Sequence, residues 1–338
     1  MLVRENYSLK KLNTFNIDAH ARYFTEVNTE HILSELLKSN DFKELPKLIL
    51  GGGSNILFTR DYEGIVIKIS ADRIRIIDQN DESVIVESDA GVKWDDLVTY
   101  CIEKELYGIE NLTLIPGTVG AAPIQNIGAY GVELKDLFDS LDGLDLDKFE
   151  KRRITGKDCI FGYRDSIFKR ELKDRFIITK VRLKLSKVRN LNLNYRAFQG
   201  RILKRERNKI SLKEVRKIVN EIRISKLPDA AKLGNAGSFF KNPVVDQKKL
   251  LRLKEIFDDL VFFKVENEQF KIPAGWLIEK CGFKGKKIGQ VGTFYRQALV
   301  VINYGGATGS EIKEFTEKIQ DAVYNKFEIK LTTEVNII

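Results

Sequence analysis

Apolar residues recur along this chain at two spacings, and the switch between the spacings marks out its elements. Between Glu30 and Lys38, Ile32, Leu33, Leu36 and Leu37 fall three and four residues apart, which predicts a helix with one buried face. Trp94–Glu105 repeats the pattern through Leu97, Val98, Cys101 and Ile102. Leu212–Ile224 does so again and ends at Lys226-Leu-Pro-Asp229, because proline disfavours helix in the residue before it. Short apolar or alternating runs at Leu48–Leu50, Ile65–Ile69, Val84–Glu87 and Phe176–Ser186 predict strands between these helices. The last third carries helical patterns at Gln247–Ile256 and Trp276–Cys281, then a strand at Ala298–Ile302. A long amphipathic helix is predicted over Gly309–Lys326, with Ile312, Phe315, Ile319, Ala322 and Val323 inward, and a final strand over Glu328–Ile337. There is no internal repeat and no low-complexity linker. Strands mixed with helices predict an α+β class.

One segment obeys neither period. Ile115–Gly131 holds four glycines and two prolines in seventeen residues, so almost no side chain stands along it. Glycine admits positive φ and close approach, and proline removes a donor. A backbone wrapped around a diphosphate would account for the run, and so would a packed structural loop. A second glycine run follows the short strand Lys47-Leu-Ile-Leu50, as Gly51-Gly-Gly-Ser-Asn55, with Ile56-Leu-Phe58 after it. Strand then glycine turn is a common phosphate-binding arrangement. It is not a Walker loop, since no Gly-Lys-Ser/Thr follows, and no helix opens after it as in the dinucleotide fingerprint.

Composition narrows the class. At 338 residues, 43% hydrophobic and 31% charged, the chain has room for two or three domains of an ordinary soluble protein. No stretch reaches the ~20 apolar residues of a membrane span, and Met1–Asn6 has no apolar signal core. Cys101, Cys159 and Cys281 are odd in number and far apart, which argues for free thiols, no metal site and a cytoplasmic location. The formal charge of +9 invites a nucleic-acid reading, and Arg201–Lys209 is a basic run. Yet 48 acidic residues are interleaved with 57 basic ones, so a solvated surface is favoured and no nucleic-acid partner is expected. The same field would attract a diphosphate or a phosphorylated nicotinamide.

Taken in order, the motifs resemble those of the UDP-N-acetylenolpyruvoylglucosamine reductase family. They are Asn13–Ile17, Leu50-Gly-Gly-Gly-Ser-Asn-Ile-Leu57, Pro116–Gly120 and Gln125-Asn-Ile-Gly-Ala-Tyr-Gly131. Then come Phe161-Gly-Tyr-Arg-Asp-Ser166, Gly234-Asn-Ala-Gly-Ser-Phe-Phe-Lys-Asn-Pro243, Ala274–Ile278, Gln297–Val300 and Glu334-Val335. The resemblance implies a flavin-binding fold of the vanillyl-alcohol-oxidase type followed by a family-specific C-terminal domain. Its boundaries are expected at 1–70 and 71–226 for two FAD-binding subdomains and 227–338 for the substrate-binding domain. It also implies a cytoplasmic bacterial enzyme of peptidoglycan precursor synthesis, expected as a monomer, with UDP-N-acetylglucosamine enolpyruvate and NADPH as partners.

In this family hydride passes from NADPH through FAD to the methylene carbon of an enolpyruvyl ether, and the neighbouring carbon is then protonated. The resemblance gives Ser238, in a small-residue turn, as proton donor; a serine picked at random would be a turn or cap residue. A bare hydroxyl is a weak acid and needs neighbours that ease alkoxide formation. Arg164 suits two-donor binding of a carboxylate whose charge grows, although alone it reads as a surface partner of Asp165. Glu334 is implied at the substrate carboxylate, in a protonated form that donates a hydrogen bond; alone it reads as an exposed strand charge. The cofactor set implied is Gly51, Gly52, Gly53, Ser54, Asn55, Pro116, Gly117, Thr118, Gly120, Ala121, Gln125 and Asn126. For the substrate it is Tyr130, Tyr163, Tyr195, Lys226, Asn242 and Gln297.

Tyr195 bears on subclass. One form of the family carries a tyrosine loop before the Lys-Leu-Pro-Asp segment, and Leu193-Asn-Tyr195 stands there, with Asn194 and Arg196 departing from the common pattern. Ala121 and Ala122 replace serines of some relatives, and glycine stands where an acidic residue often occurs near Gly51–Gly53. The nearest alternative is an oxidase or dehydrogenase of the same fold acting on an alcohol or lactone. Many of those attach flavin through histidine, whereas His20 and His31 both precede the cofactor loops, so noncovalent FAD is expected.

Overall fold

A computed structural model describes residues 2–202, 209–265 and 268–338. Of the basic run Arg201–Lys209, positions 203–208 therefore lie outside the described residues. Backbone packing divides the chain into two units. The first holds residues 1–7, 21–53 and 62–223, and the second 8–20, 54–61 and 224–338.

Among the described residues the first unit contains two larger sheets and the short hairpin Gly128–Ala129 with Val132–Glu133. Strands Val3–Ser8, His20–Val27, Tyr62–Ile69 and Lys47–Leu50 lie side by side in that order, the second and fourth parallel to Tyr62–Ile69. Parallel neighbours need a crossover, and the helix Glu30–Lys38 supplies one. Thr29 caps it by accepting from the Ile32 amide, and Leu33, Leu36 and Leu37 pack on Val27, Ile65 and Ile67. The other sheet is antiparallel, in the order Glu150–Thr155, Phe138–Asp145, Phe176–Ser186, Ser83–Asp89, Ile74–Gln79. Its central strand is buried on both faces, with Ile177 in one core and Ile178, Val181 and Leu183 in the other. The helix Trp94–Glu103 closes the larger core; Trp94 is 1% exposed and its indole donates to the Leu112 carbonyl at 2.9 Å.

In the second unit Gly234–Ser238, Gln297–Asn303, Val291–Phe294 and Lys287–Ile288 form an antiparallel sheet. The helices Ala274–Lys280 and Gly309–Phe327 pack on it. Thr308 and Glu311 make a capping box at the start of the longer helix, whose Ile312, Phe315, Ile319 and Val323 are buried.

Several boundaries differ from the periodicity: the helices expected at Leu212–Ile224 and Trp276–Cys281 run Leu212–Lys226 and Ala274–Lys280. The helix from Trp94 stops at Glu103, because Glu105 turns into the left-handed region at φ +56. The expected strand over Glu328–Ile337 is largely irregular: Glu328 caps the preceding helix at φ +52, and only Asn336–Ile337 is a regular strand, parallel to Ile56–Leu57. Residues 332–334 pair instead with 239–241 through single bonds, which explains their strand-like alternation without a continuous ladder.

Candidate active site

The two glycine loops meet in the first unit. The turn Gly51–Gly53 leaves the carboxyl end of the parallel strand Lys47–Leu50, the end at which open α/β sheets bind ligands. A Cβ on Gly52 would stand 2.8 Å from the Cα of Gly117, and one on Gly51 would stand 2.7 Å from Thr118 Oγ1 and 3.3 Å from Ala121 Cβ. Backbone lies on backbone there, which only glycine permits. Gly120 is held behind them by donating to the Ala90 carbonyl, and Thr118 and Gly117 flank the bond from the Trp94 amide to the Gly117 carbonyl. Among the described residues the amides of Gly52, Gly117 and Thr118 donate to no acceptor. Unbonded amides on a partly open, side-chain-poor surface suit a diphosphate, so these residues fit the FAD expected from the sequence. Pro116 is exposed beside them.

Beyond Ala121 the loop becomes the support of Arg164. Asn126 is fully buried, and its side chain donates to Glu133 Oε2 at 2.9 Å and the Gly162 carbonyl at 3.0 Å while accepting from the Lys135 amide. Ser166 Oγ donates to the Ile124 carbonyl at 2.6 Å. The guanidinium of Arg164 donates to the carbonyls of Gly128 at 2.7 Å and Asn126 at 3.4 Å, and lies 5.6 Å from the Tyr163 ring centre. Asn126, Tyr130 and Arg164 all take left-handed backbone, at φ +44, +50 and +53. Such outliers persist where surrounding structure over-determines them, often at functional sites.

Tyr130 gathers the remaining groups of this cluster. Its ring meets Tyr195 edge-on at 5.7 Å, and Phe198 lies 6.2 Å away. Its hydroxyl is hydrogen-bonded to Arg223; burial raises the phenol above its ordinary value, against the charges of Arg223 and Arg201. Burial likewise depresses Arg223, with Tyr130 and Asp95 opposing that effect and Arg164 reinforcing it. Tyr195 itself is 44% exposed.

The second unit assembles the other group. A bulge between Asn235 and Ser238 breaks the register against Gln297–Asn303, with Gly237 at φ +67 and its amide donating to Asn235 Oδ1 at 3.0 Å. Bulges re-aim the next side chain. Ser238 is exposed, and its hydroxyl has no hydrogen-bond partner among the described residues. One residue on, the Phe239 carbonyl accepts from the Glu334 amide at 2.8 Å, so Glu334 is laid beside the Ser238 turn by main-chain bonding. Asn55 Nδ2 donates to the Glu334 carbonyl at 3.2 Å, so Ser54 and Asn55 belong to this group and Gly51–Gly53 to the other unit. Asn242 and Gln297 converge on one helix start: Asn242 Oδ1 accepts from the Ala274 amide at 2.9 Å, and a Cβ on Gly275 would stand 2.7 Å from Gln297 Oε1. Lys226 is the exposed last residue of the helix Leu212–Lys226.

Residues 229–338 match the family model described as the UDP-N-acetylenolpyruvoylglucosamine reductase C-terminal domain, and residues 21–147 match an FAD binding domain. The chain is 45% identical to the UDP-N-acetylenolpyruvoylglucosamine reductase of Flavobacterium johnsoniae, over the whole of both chains. The reductase of Pseudomonas aeruginosa is 46% identical over 99% of this chain and 98% of its own. This chain belongs to the UDP-N-acetylenolpyruvoylglucosamine reductase family. The fold agrees: the crystal structure of the Thermus caldophilus reductase aligns with a TM-score of 0.69 at 22% identity, covering 99% of each chain. The expected order, an FAD-binding domain followed by a reductase C-terminal domain, is the one present.

Motif reading of this family member passed over two residues. Arg223 sits in a basic, helical stretch and reads as surface, whereas it bonds Tyr130. Asn111, in Glu110-Asn-Leu112, has partners 19 and 81 residues away, so no local pattern announces it.

Proposed function

We infer that the chain reduces UDP-N-acetylglucosamine enolpyruvate to UDP-N-acetylmuramate at the expense of NADPH, with a noncovalent FAD. The observation that carries this reading is the full-length relation to two enzymes of that name. When bound, FAD supplies the relay that takes hydride from NADPH and gives it to the substrate's methylene carbon. The loops Gly51–Gly53 and Pro116–Ala121 would hold its diphosphate through backbone amides. Gln125 and Asn126 follow in the same stretch, and the side-chain bonds of Asn126 fix the course of that loop.

The protein's own residues then have three tasks. Arg164, fixed by two carbonyls, offers a guanidinium to the substrate carboxylate as negative charge builds on the adjoining carbon. Glu334 contacts the same carboxylate. Ser238 delivers the proton to the carbon that bears it, so that the alkene gains hydride at one carbon and a proton at the other, and NADPH leaves as NADP+. Tyr130, Tyr163, Tyr195, Lys226, Asn242 and Gln297 bind the UDP-sugar. The activity belongs to peptidoglycan precursor synthesis in a bacterial cytoplasm, with a monomer as the working unit.

The test is NADPH oxidation followed with and without UDP-N-acetylglucosamine enolpyruvate. Strict dependence on that compound, with UDP-N-acetylmuramate formed, is the expected result. Oxidation of an alcohol or lactone with no response to the enolpyruvyl ether would replace this reading by the oxidase one. Acid precipitation of the protein should leave the flavin in the supernatant.

A further inference from the structure

We propose that Asn111 is a positioning residue that latches the tyrosine loop and so fixes where Tyr195 meets the substrate. Asn111 lies on the short 3-10 turn Glu110–Leu112 and is completely buried. Its amide nitrogen donates twice, to the Tyr130 carbonyl at 3.0 Å and to the Asn192 carbonyl at 2.8 Å. Asn192 closes the loop of contacts by donating from its own side chain to the Gly131 carbonyl at 3.0 Å. One amide therefore spans the two segments whose tyrosines touch, Tyr130 and Tyr195.

These links act beside the bond from Arg189 Nη1 to the Ile210 carbonyl at 2.5 Å. Residues 189–194 form no helix or strand, so no ladder of backbone bonds fixes their course. Leu193 is buried and anchors one point, while Tyr195 stays half in solvent. Gly131 takes a left-handed backbone at φ +85 that favours glycine, and a Cβ there would lie in ordinary contact range of Asn192 Nδ2 and Tyr195 Cδ2. The Oδ1 of Asn111 is buried without a partner among the described residues, so the bonding of this side chain is carried by its two donors. An apolar side chain of that size would avoid the orphaned oxygen. What it could not do is hold two carbonyls from distant segments with one planar donor group.

The inference rests on the reading that Tyr195 contacts the UDP-sugar, and the experiment separates the two. Asn111→Leu keeps the volume and removes both donors. It should raise KM for UDP-N-acetylglucosamine enolpyruvate about tenfold and leave kcat within about twofold, since a latch acts equally in ground and transition states. Amide hydrogen exchange over residues 189–196 should quicken by a similar factor while the antiparallel sheet stays protected. Asn192→Ala, which removes the return bond and the long bond its Oδ1 accepts from the Asn194 amide at 3.4 Å, should move both readouts the same way by about threefold. In a Tyr195→Ala background Asn111→Leu should add nothing to KM, because both act through one ring. Multiplying effects in that background, or unchanged exchange over 189–196 in both variants, overturns the latch. If the parent protein shows no turnover of the enolpyruvyl substrate, the functional reading falls, and hydrogen exchange still decides whether Asn111 holds the loop.

Discussion

Arg182 sits on the central antiparallel strand with its side chain 5% exposed, clamped by Asp142 at 2.5 Å and Glu87 at 2.6 Å. Arg164, in a turn of the same unit, is held there by the carbonyls of Gly128 and Asn126. Both are fixed, and at Arg182 the partners are carboxylates that cancel its charge. Around Arg182 the cancellation is mutual. Burial works to raise Asp142 and Glu87, yet their bonds to Arg182, Arg153 and Arg75 outweigh it and hold both below the ordinary carboxylate range. Near Arg164 the Glu133 side chain shares the space beside Gly128, and the charge of Arg164 acts on Arg223, which is bonded to Tyr130. The first arrangement joins strands. The second sets a guanidinium through main-chain carbonyls, in the proposed reading toward an anionic substrate.

The sharpest way to break that contrast is to exchange the expected consequences. Arg182→Leu leaves the buried Glu87 and the partly exposed Asp142 each short of a partner and should lower unfolding stability by on the order of 3 kcal/mol in urea melts, with KM and kcat of the folded fraction unchanged. Arg164→Lys should do the reverse. It keeps the charge and loses the planar fork, so stability should hold while turnover falls about 10²-fold. Equal losses of stability in the two variants would erase the distinction.

A smaller effect sharpens it with pH. Asp142 and Glu87 are depressed in the fold, so their contribution is complete above the unfolded carboxylate values near ~4 and is lost as pH falls through the folded ones. Acid melts of the parent protein should therefore weaken below about pH 4, and Arg182→Leu should flatten that slope. The smallest change expected is in Tyr195→Phe. On the proposed reading, in which the hydroxyl binds substrate before and during the reaction alike, it should raise KM a few-fold, more than it lowers kcat.

Much of this was legible in the chain where one periodicity ran unbroken. Glu30–Lys38 and Gln247–Ile256 form helices over the very residues their apolar spacing marks, and Phe176–Ser186 is a strand throughout. Phe138–Asp145 was not legible, because its acidic residues look like loop until Asp142 is seen to bind Arg153 and Arg182. Ile74–Gln79 failed for another reason, being an edge strand exposed along most of its length. The site divided in the same way. Glycine loops announce themselves through what backbone needs, whereas Asn111 and Arg223 are ordinary residue types whose meaning lies in distant partners. Ser238 stood between these cases: its motif was visible, but the bulge that turns it outward was not.

Ser238 also offers the most direct test of the account, whose central claim is that proton delivery is separate from flavin reduction. Stopped-flow flavin absorbance follows the two halves independently. Ser238→Ala should leave reduction by NADPH nearly intact and slow reoxidation by the enolpyruvyl substrate by at least ~10²-fold, the loss typical of a missing general acid. Equal slowing of both halves, or of neither, would contradict it.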